Sequence, residues 1–141
     1  MTTTEKINNA IKWINGLSET DLPQGTGELG DSKHGFCCLG YGCNALGIDF
    51  DPRDGVSNEF KNSVGLLYDT GLFVKNNKDG DFKFKLTGQI KVNDTQTAES
   101  LIELNDDTSY EFKDISNFIK SDPYRVFESE VAKGVEDYFN K

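Results

Sequence analysis

Two hydrophobic rhythms divide the chain. From Thr4 to Leu17, the residues Ile7, Ile11, Ile14 and Leu17 recur on one helical face, with Trp13 at its edge. Thr2 followed by Glu5 has the form of a capping box, and Gly16 with the Ser18–Pro23 stretch predicts the helix end. A glycine-rich connection follows, Gln24-Gly25-Thr26-Gly27-Glu28-Leu29-Gly30, too long for a tight turn. Phe36 to Leu46 then reads as a short buried helix with Gly47 as its left-handed C-cap. Gly40 and Gly42 inside it each cost about 1 kcal/mol relative to alanine, which close packing against another backbone would offset. Ser57 to Leu67 predicts one more short helix, with Phe60, Val64 and Leu67 in register and Ser57 as N-cap.

The period drops to two between Leu72 and Val92. Phe82, Phe84 and Leu86 alternate with Asp81, Lys83 and Lys85, and Asp79-Gly80 supplies the turn of a hairpin with Leu72-Phe73-Val74. Gly88 to Val92 adds a third short strand. Helical spacing returns at Ala98 to Leu104. Thr108 with Glu111 forms a second capping box, opening a helix with Phe112, Ile115, Phe118 and Ile119 inward. Asp122-Pro123 places an N-cap before a proline at N1, starting a last helix with Phe127, Val131, Val135 and Tyr138 on one stripe. The expected fold is a single α+β domain over residues 1–141, helix-rich, with about five helices around one small antiparallel β-hairpin or meander.

Composition narrows the function classes. A chain of 141 residues buries a core without disulfides or metals as staples. Lys and Arg number 15 against 24 Asp and Glu, a net charge of -9 that repels phosphate backbones. Duplex nucleic acid is therefore not an expected partner. From Asp94 onward there are twelve acids and five bases, so that third carries -7 of the -9 and leaves open an acidic mimic of DNA. The N-terminus shows no signal-peptide pattern, and no run approaches the ~20 apolar residues of a membrane span. Three cysteines, an odd number with two adjacent, fit reduced thiols and a cytoplasmic setting.

All three cysteines lie in one block, Phe36-Cys37-Cys38-Leu39-Gly40-Tyr41-Gly42-Cys43, just after the single histidine, His34. A structural zinc site needs four ligands, and no other His or Cys exists to complete one. A nucleophile is the second option: Cys37 or Cys38 at a helix N-terminus, with His34 as base and Asp31 orienting it. That combination would make the protein a cysteine-dependent hydrolase or transferase. The simpler role for such cysteines is that of small buried hydrophobes. Among the acids, Asp106-Asp107 with Asp114, the Asp49/Asp51/Asp54 cluster and the Asn77-x-Asp79-Gly80-Asp81 turn lack the ligand order of an EF-hand. The glycine-rich connection has no Walker or dinucleotide pattern. Neither a metal nor a cofactor is expected.

Three blocks occur together: Trp13 with Leu17 ahead of Gln24-Gly25-Thr26-Gly27-Glu28-Leu29; the Phe36–Cys43 block; and Leu101-x-x-Leu104-Asn105-Asp106 ahead of Phe112-x-x-Ile115. In order and spacing the chain resembles small uncharacterised proteins of bacteriophages and prophages with a Q-G-x-G-x-L, C-C-L-G-x-x-C and L-x-x-L-N-D signature. The resemblance spans roughly residues 13 to 119 and leaves out His34 and the last helix. It implies a cytoplasmic setting in an infected bacterial host and carries no activity residue by residue. The leading expectation is a non-enzymatic phage accessory protein that binds a host protein or a small, nucleotide-like signalling molecule, as in counter-defence. Gln24, Gly25, Gly27, Asn105 and Asp106 are its candidate ligand-binding residues. The amides would supply donors and acceptors, and the glycines would open the backbone to a ligand.

Overall fold

The structure, a computed structural model, describes residues 1–26, 30–31, 33–50, 58–67, 90–91, 97–98, 101–106 and 108–140. Six α-helices stand among them: α1 (Thr3–Glu19), α2 (Cys38–Leu46), α3 (Asn58–Val64), α4 (Leu101–Asp106), α5 (Phe112–Ser121) and α6 (Ser129–Phe139). Two small antiparallel pairs accompany them, β1 (Gly30–Asp31) with β2 (Gly35–Phe36) and β3 (Ile90–Lys91) with β4 (Thr97–Ala98). The architecture is the helix-rich α+β fold expected. The hairpin expected at 72–86 lies outside the described residues.

α1 is the axis of the molecule, packed on α2, α3, α5 and α6. Its start is the expected capping box: Glu5 N–H donates to Thr2 Oγ1 and Thr2 N–H to Glu5 Oε1, both at 3.1 Å. Its end differs. The helix runs on through Gly16, which lies under the Tyr41 ring, and stops where Thr20 turns extended. Trp13 is not at the edge of the apolar face but fully buried at 0 % exposure. Its ring meets Phe60 edge-on at 5.2 Å and Phe127 at 6.1 Å, and its indole N–H donates to Cys38 O at 3.0 Å. Burying the largest side chain of the chain thus leaves no polar atom unpaired.

α2 begins at Cys38, two residues later than expected, because Phe36 belongs to β2 and Cys37 is the N-cap. Gly47 closes it in the left-handed region at φ 70°, as expected. The neighbours that require Gly42 are rings rather than a backbone. A Cβ there would stand 2.5 Å from two Phe60 ring carbons and 2.9 Å from Trp13 Nε1. Gly42 therefore makes room for the aromatic cluster that α1 and α3 build.

In the C-terminal third the sequence signals are displaced along the chain. The strand expected at 88–92 is present as β3, but its partner β4 includes Ala98, so α4 starts at Leu101. The cap of α5 is Glu111, not Thr108: Glu111 N–H donates to Asp114 Oδ2 at 2.9 Å. Thr108 instead donates to Leu104 O at 2.6 Å and accepts from Tyr110 N–H, turning the chain between α4 and α5. Pro123 opens only a single 3-10 turn, and α6 restarts at Ser129. Between them Phe127 pairs antiparallel with Leu66. Leu67 N–H donates to Val126 O and Glu128 N–H to Gly65 O, which interrupts the helix between Val126 and Ser129. Phe127 is buried as expected, whereas Tyr138 is 47 % exposed. Ser116 is a buried polar residue in mid-helix, satisfied by donating to Ile14 O at 2.9 Å.

Candidate functional site

Gln24 lies in an extended segment that runs parallel to β2. Gly25 N–H donates to Phe36 O at 2.7 Å and Phe36 N–H to Pro23 O at 2.9 Å, while Gly30 flanks Phe36 on its other side. Such close strands require Gly35, at φ 97°, where a Cβ would stand 2.8 Å from the carbonyl carbon of Gln24. The backbone around Gly25 is thus engaged by its own chain. Gly27 lies outside the described residues.

From this segment the Gln24 side chain reaches inward to Asn105, at the end of α4 and only 2 % exposed. Gln24 Nε2 donates to Asn105 Oδ1 at 2.9 Å and to Tyr110 O at 3.1 Å, and its Oε1 accepts from Phe112 N–H at 2.9 Å. Asn105 Oδ1 also accepts from Cys38 N–H at 3.1 Å, and its Nδ2 donates to Gly25 O and to Asp106 Oδ1, each at 2.8 Å. Four segments meet in this clasp: the Gln24 strand, the N-terminus of α2, the C-terminus of α4 and the N-terminus of α5. Asn105 uses both donors and accepts twice, so a flipped amide would set its donors against the N–H groups of Gln24 and Cys38.

The structure therefore brings Gln24, Gly25, Asn105 and Asp106 together, the convergence sought from their residue types. It also commits their polar groups mostly to one another. Among the described residues, acceptor positions remain on the Asp106 carboxylate, engaged only through Oδ1, and on the second lone pair of Gln24 Oε1.

The thiols are buried beside this clasp. Cys37 Sγ accepts from Gly40 N–H at 3.3 Å, and Cys38 Sγ donates to Leu101 O at 3.7 Å. Burial pushes the thiols of Cys37 and Cys38 above the ordinary range, and the Asp106 charge adds to the effect. Burial likewise raises Cys43 to about 12. A nucleophile needs the opposite shift. His34 sits in the exposed β1–β2 turn with its Nδ1 3.1 Å from Asp31 Oδ1, so the aspartate does orient the histidine. Asp31 also accepts from the backbone N–H groups of Lys33 and His34, and the His34 bonds hold its carboxyl below the usual range. The pair organises the turn. Among the described residues, no group of three or more His, Cys, Asp or Glu is placed to hold a metal ion.

Next to the clasp lies an open cleft of about 310 Å³, between the end of α1 and the start of α5. Leu17, Ser18, Gln24, Glu111, Phe112 and Lys113 line it. Only Gln24 was anticipated. The rest were hidden because Leu17 and Phe112 read as core, while Ser18, Thr20, Leu22, Glu111 and Lys113 read as ordinary helix ends and connections. Among the described residues, no helix is long and apolar enough to cross a membrane. No family model, curated protein sequence or solved structure matches the chain.

Proposed function

We propose that this protein is a non-catalytic binding protein, a bacteriophage or prophage accessory factor that works in the host cytoplasm by engaging a host molecule, as in counter-defence. One observation carries the binding part. The polar residues that could have formed a reactive centre are tied to one another in the Gln24–Asn105 clasp, and a cleft opens beside it with Gln24 as the shared wall. The buried thiols, shifted away from reactivity, weigh against the cysteine-dependent hydrolase or transferase. The phage setting rests on the sequence resemblance.

The test is capture. Tagged protein is incubated with lysate of infected cells, and bound species are identified by mass spectrometry of both the protein and the small-molecule fractions. A specific host ligand, lost when the cleft is blocked by Ser18→Trp while the fold is retained, is the expected result. Turnover of a substrate at a rate that follows Cys37 or Cys38 would overturn the non-catalytic assignment.

A further inference from the structure

The cleft between α1 and α5 is lined by one full charge of each sign. Glu111 and Lys113, two positions apart at the start of α5, are both exposed and both border it. Its uncharged groups are divided in the same way. Gln24 has both side-chain N–H groups engaged and keeps an acceptor position on Oε1. That oxygen already accepts from Phe112 N–H, so it lies beside the Glu111 backbone. Thr20 is the converse. Its Oγ1 accepts from Leu22 N–H at 3.1 Å, and among the described residues its O–H has no acceptor. The Ser18 hydroxyl is a second donor in the lining, and Leu17, Leu22 and Phe112 contribute the apolar surface. About 310 Å³ is the lower limit of ligand pockets, a size for one small molecule.

Such a balance disfavours a ligand of a single sign. A cation is drawn to Glu111 and repelled by Lys113, and an anion meets the reverse. An uncharged molecule displaces water from both groups and replaces it for neither. A dipolar ion satisfies both at once. We propose that the cleft binds a small zwitterion, a free α-amino acid with an aliphatic side chain. Its ammonium would meet Glu111 and Gln24 Oε1, and its carboxylate Lys113 and the Thr20 hydroxyl. Its side chain would lie on the surface of Leu17, Leu22 and Phe112. Such a molecule has no net charge, so the net charge of -9 neither steers it in nor repels it. The inference rests on the binding-protein assignment and names the chemistry of its ligand.

The experiment is a chemical-shift titration of the full chain at neutral pH and about 0.15 M salt, where charges more than about 8 Å apart are screened. The probes are L-leucine, isoamylamine and isocaproate, the last two being leucine without its carboxylate and without its ammonium. Saturable shifts confined to the amides of residues 17–24 and 111–113 are expected with millimolar leucine. Either single-charge probe should bind at least about tenfold more weakly. Glu111→Gln should weaken leucine about threefold and strengthen isocaproate. Lys113→Gln should also weaken leucine about threefold but strengthen the amine, a size expected of exposed charges. A disturbed α5 start would weaken all three probes together, and Lys113→Gln keeps the test valid if the loss of Glu111 breaks the capping box. Leucine binding no tighter than one of its single-charge analogues, no crossed response in Lys113→Gln, or no saturation would overturn the proposal. A host molecule captured from lysate without any leucine response removes this inference and leaves the binding-protein assignment standing. Leucine binding together with substrate turnover that follows Cys37 or Cys38 does the reverse.

Discussion

Around Trp13, α1 is joined to α2 and α3 by rings, with the indole between Phe60 and Phe127. Around Asn105, the Gln24 strand is joined to α2, α4 and α5 by amides. The two regions meet on α2, since Trp13 bonds the carbonyl of Cys38 and Asn105 bonds its N–H. They nevertheless hold it by different physics. Ring contacts are individually weak and numerous, so a neighbour of similar volume restores most of them. The clasp consists of a few directional bonds among buried groups, and a change of one atom from donor to acceptor leaves several partners unmatched. The same helix is thus anchored on one side mainly by ring volume, with the Trp13 N–H as a single directional bond, and on the other by amide polarity.

Substitutions that separate volume from polarity test this difference. Trp13→Ala empties the centre of the ring cluster and should cost about 3–5 kcal/mol in chemical denaturation, whereas Phe127→Leu, closer in volume, should cost about 1 kcal/mol. A heavy cost for the near-isosteric change would mean that the rings are held as specifically as the amides. Asn105→Asp changes almost no volume yet puts a carboxylate against Gly25 O and Asp106. It should cost about 3 kcal/mol at neutral pH and recover in part on acidification, read by the same denaturation series. If Asn105→Asp proves nearly neutral, water already shares the clasp and its directional bonds matter little.

The smallest expected effect concerns the thiols that lie between the two regions. Their folded pKa values are raised by burial, so the native state holds protons that the unfolded chain releases. Stability should be unaffected by these groups below the ordinary thiol value of 9.0, decline as pH rises beyond it, and go on declining towards about 12, where Cys43 ionises in the folded protein. Denaturation midpoints at about pH 8 and about pH 10 should show the drop, and Cys43→Ala should lessen it, with Cys37 and Cys38 carrying the remainder. An unchanged midpoint would indicate that the thiols are open to water.

Much of the framework was legible because it depends on local signals. The Thr2/Glu5 box, the α1 stripe and the left-handed Gly47 each follow from a few adjacent residues, and each is found in the structure. The Asp122-Pro123 signal was equally local and true only for one turn. A distant segment, Gly65–Leu67, competes for the backbone of residues 126–128, and no reading of neighbours shows that competition. Thr108 and Glu111 illustrate the same limit at shorter range. Both have capping chemistry, but Thr108 serves the turn after α4, so the cap falls to Glu111.

The candidate site was legible in membership and hidden in arrangement. Gln24, Gly25, Asn105 and Asp106 stood out by residue type, and they do meet. Whether a buried amide faces a ligand or its own chain depends on the order of donors and acceptors around it, which only the tertiary structure sets. The cleft was invisible for a related reason. It forms where the end of α1 meets the start of α5, and that meeting of distant segments leaves no mark in the sequence.

The pairing of Leu66 with Phe127 has a consequence for how the molecule is made. Phe127 completes the shell around Trp13, yet it is sixty-one positions beyond Leu66 and far later than Trp13 itself. Closing so long a loop is entropically slow, and on the ribosome it is impossible before Phe127 has emerged. Throughout synthesis, therefore, α1 and α2 wait with one side of the indole uncovered. In that interval a chaperone or an unwanted neighbour would find its opening.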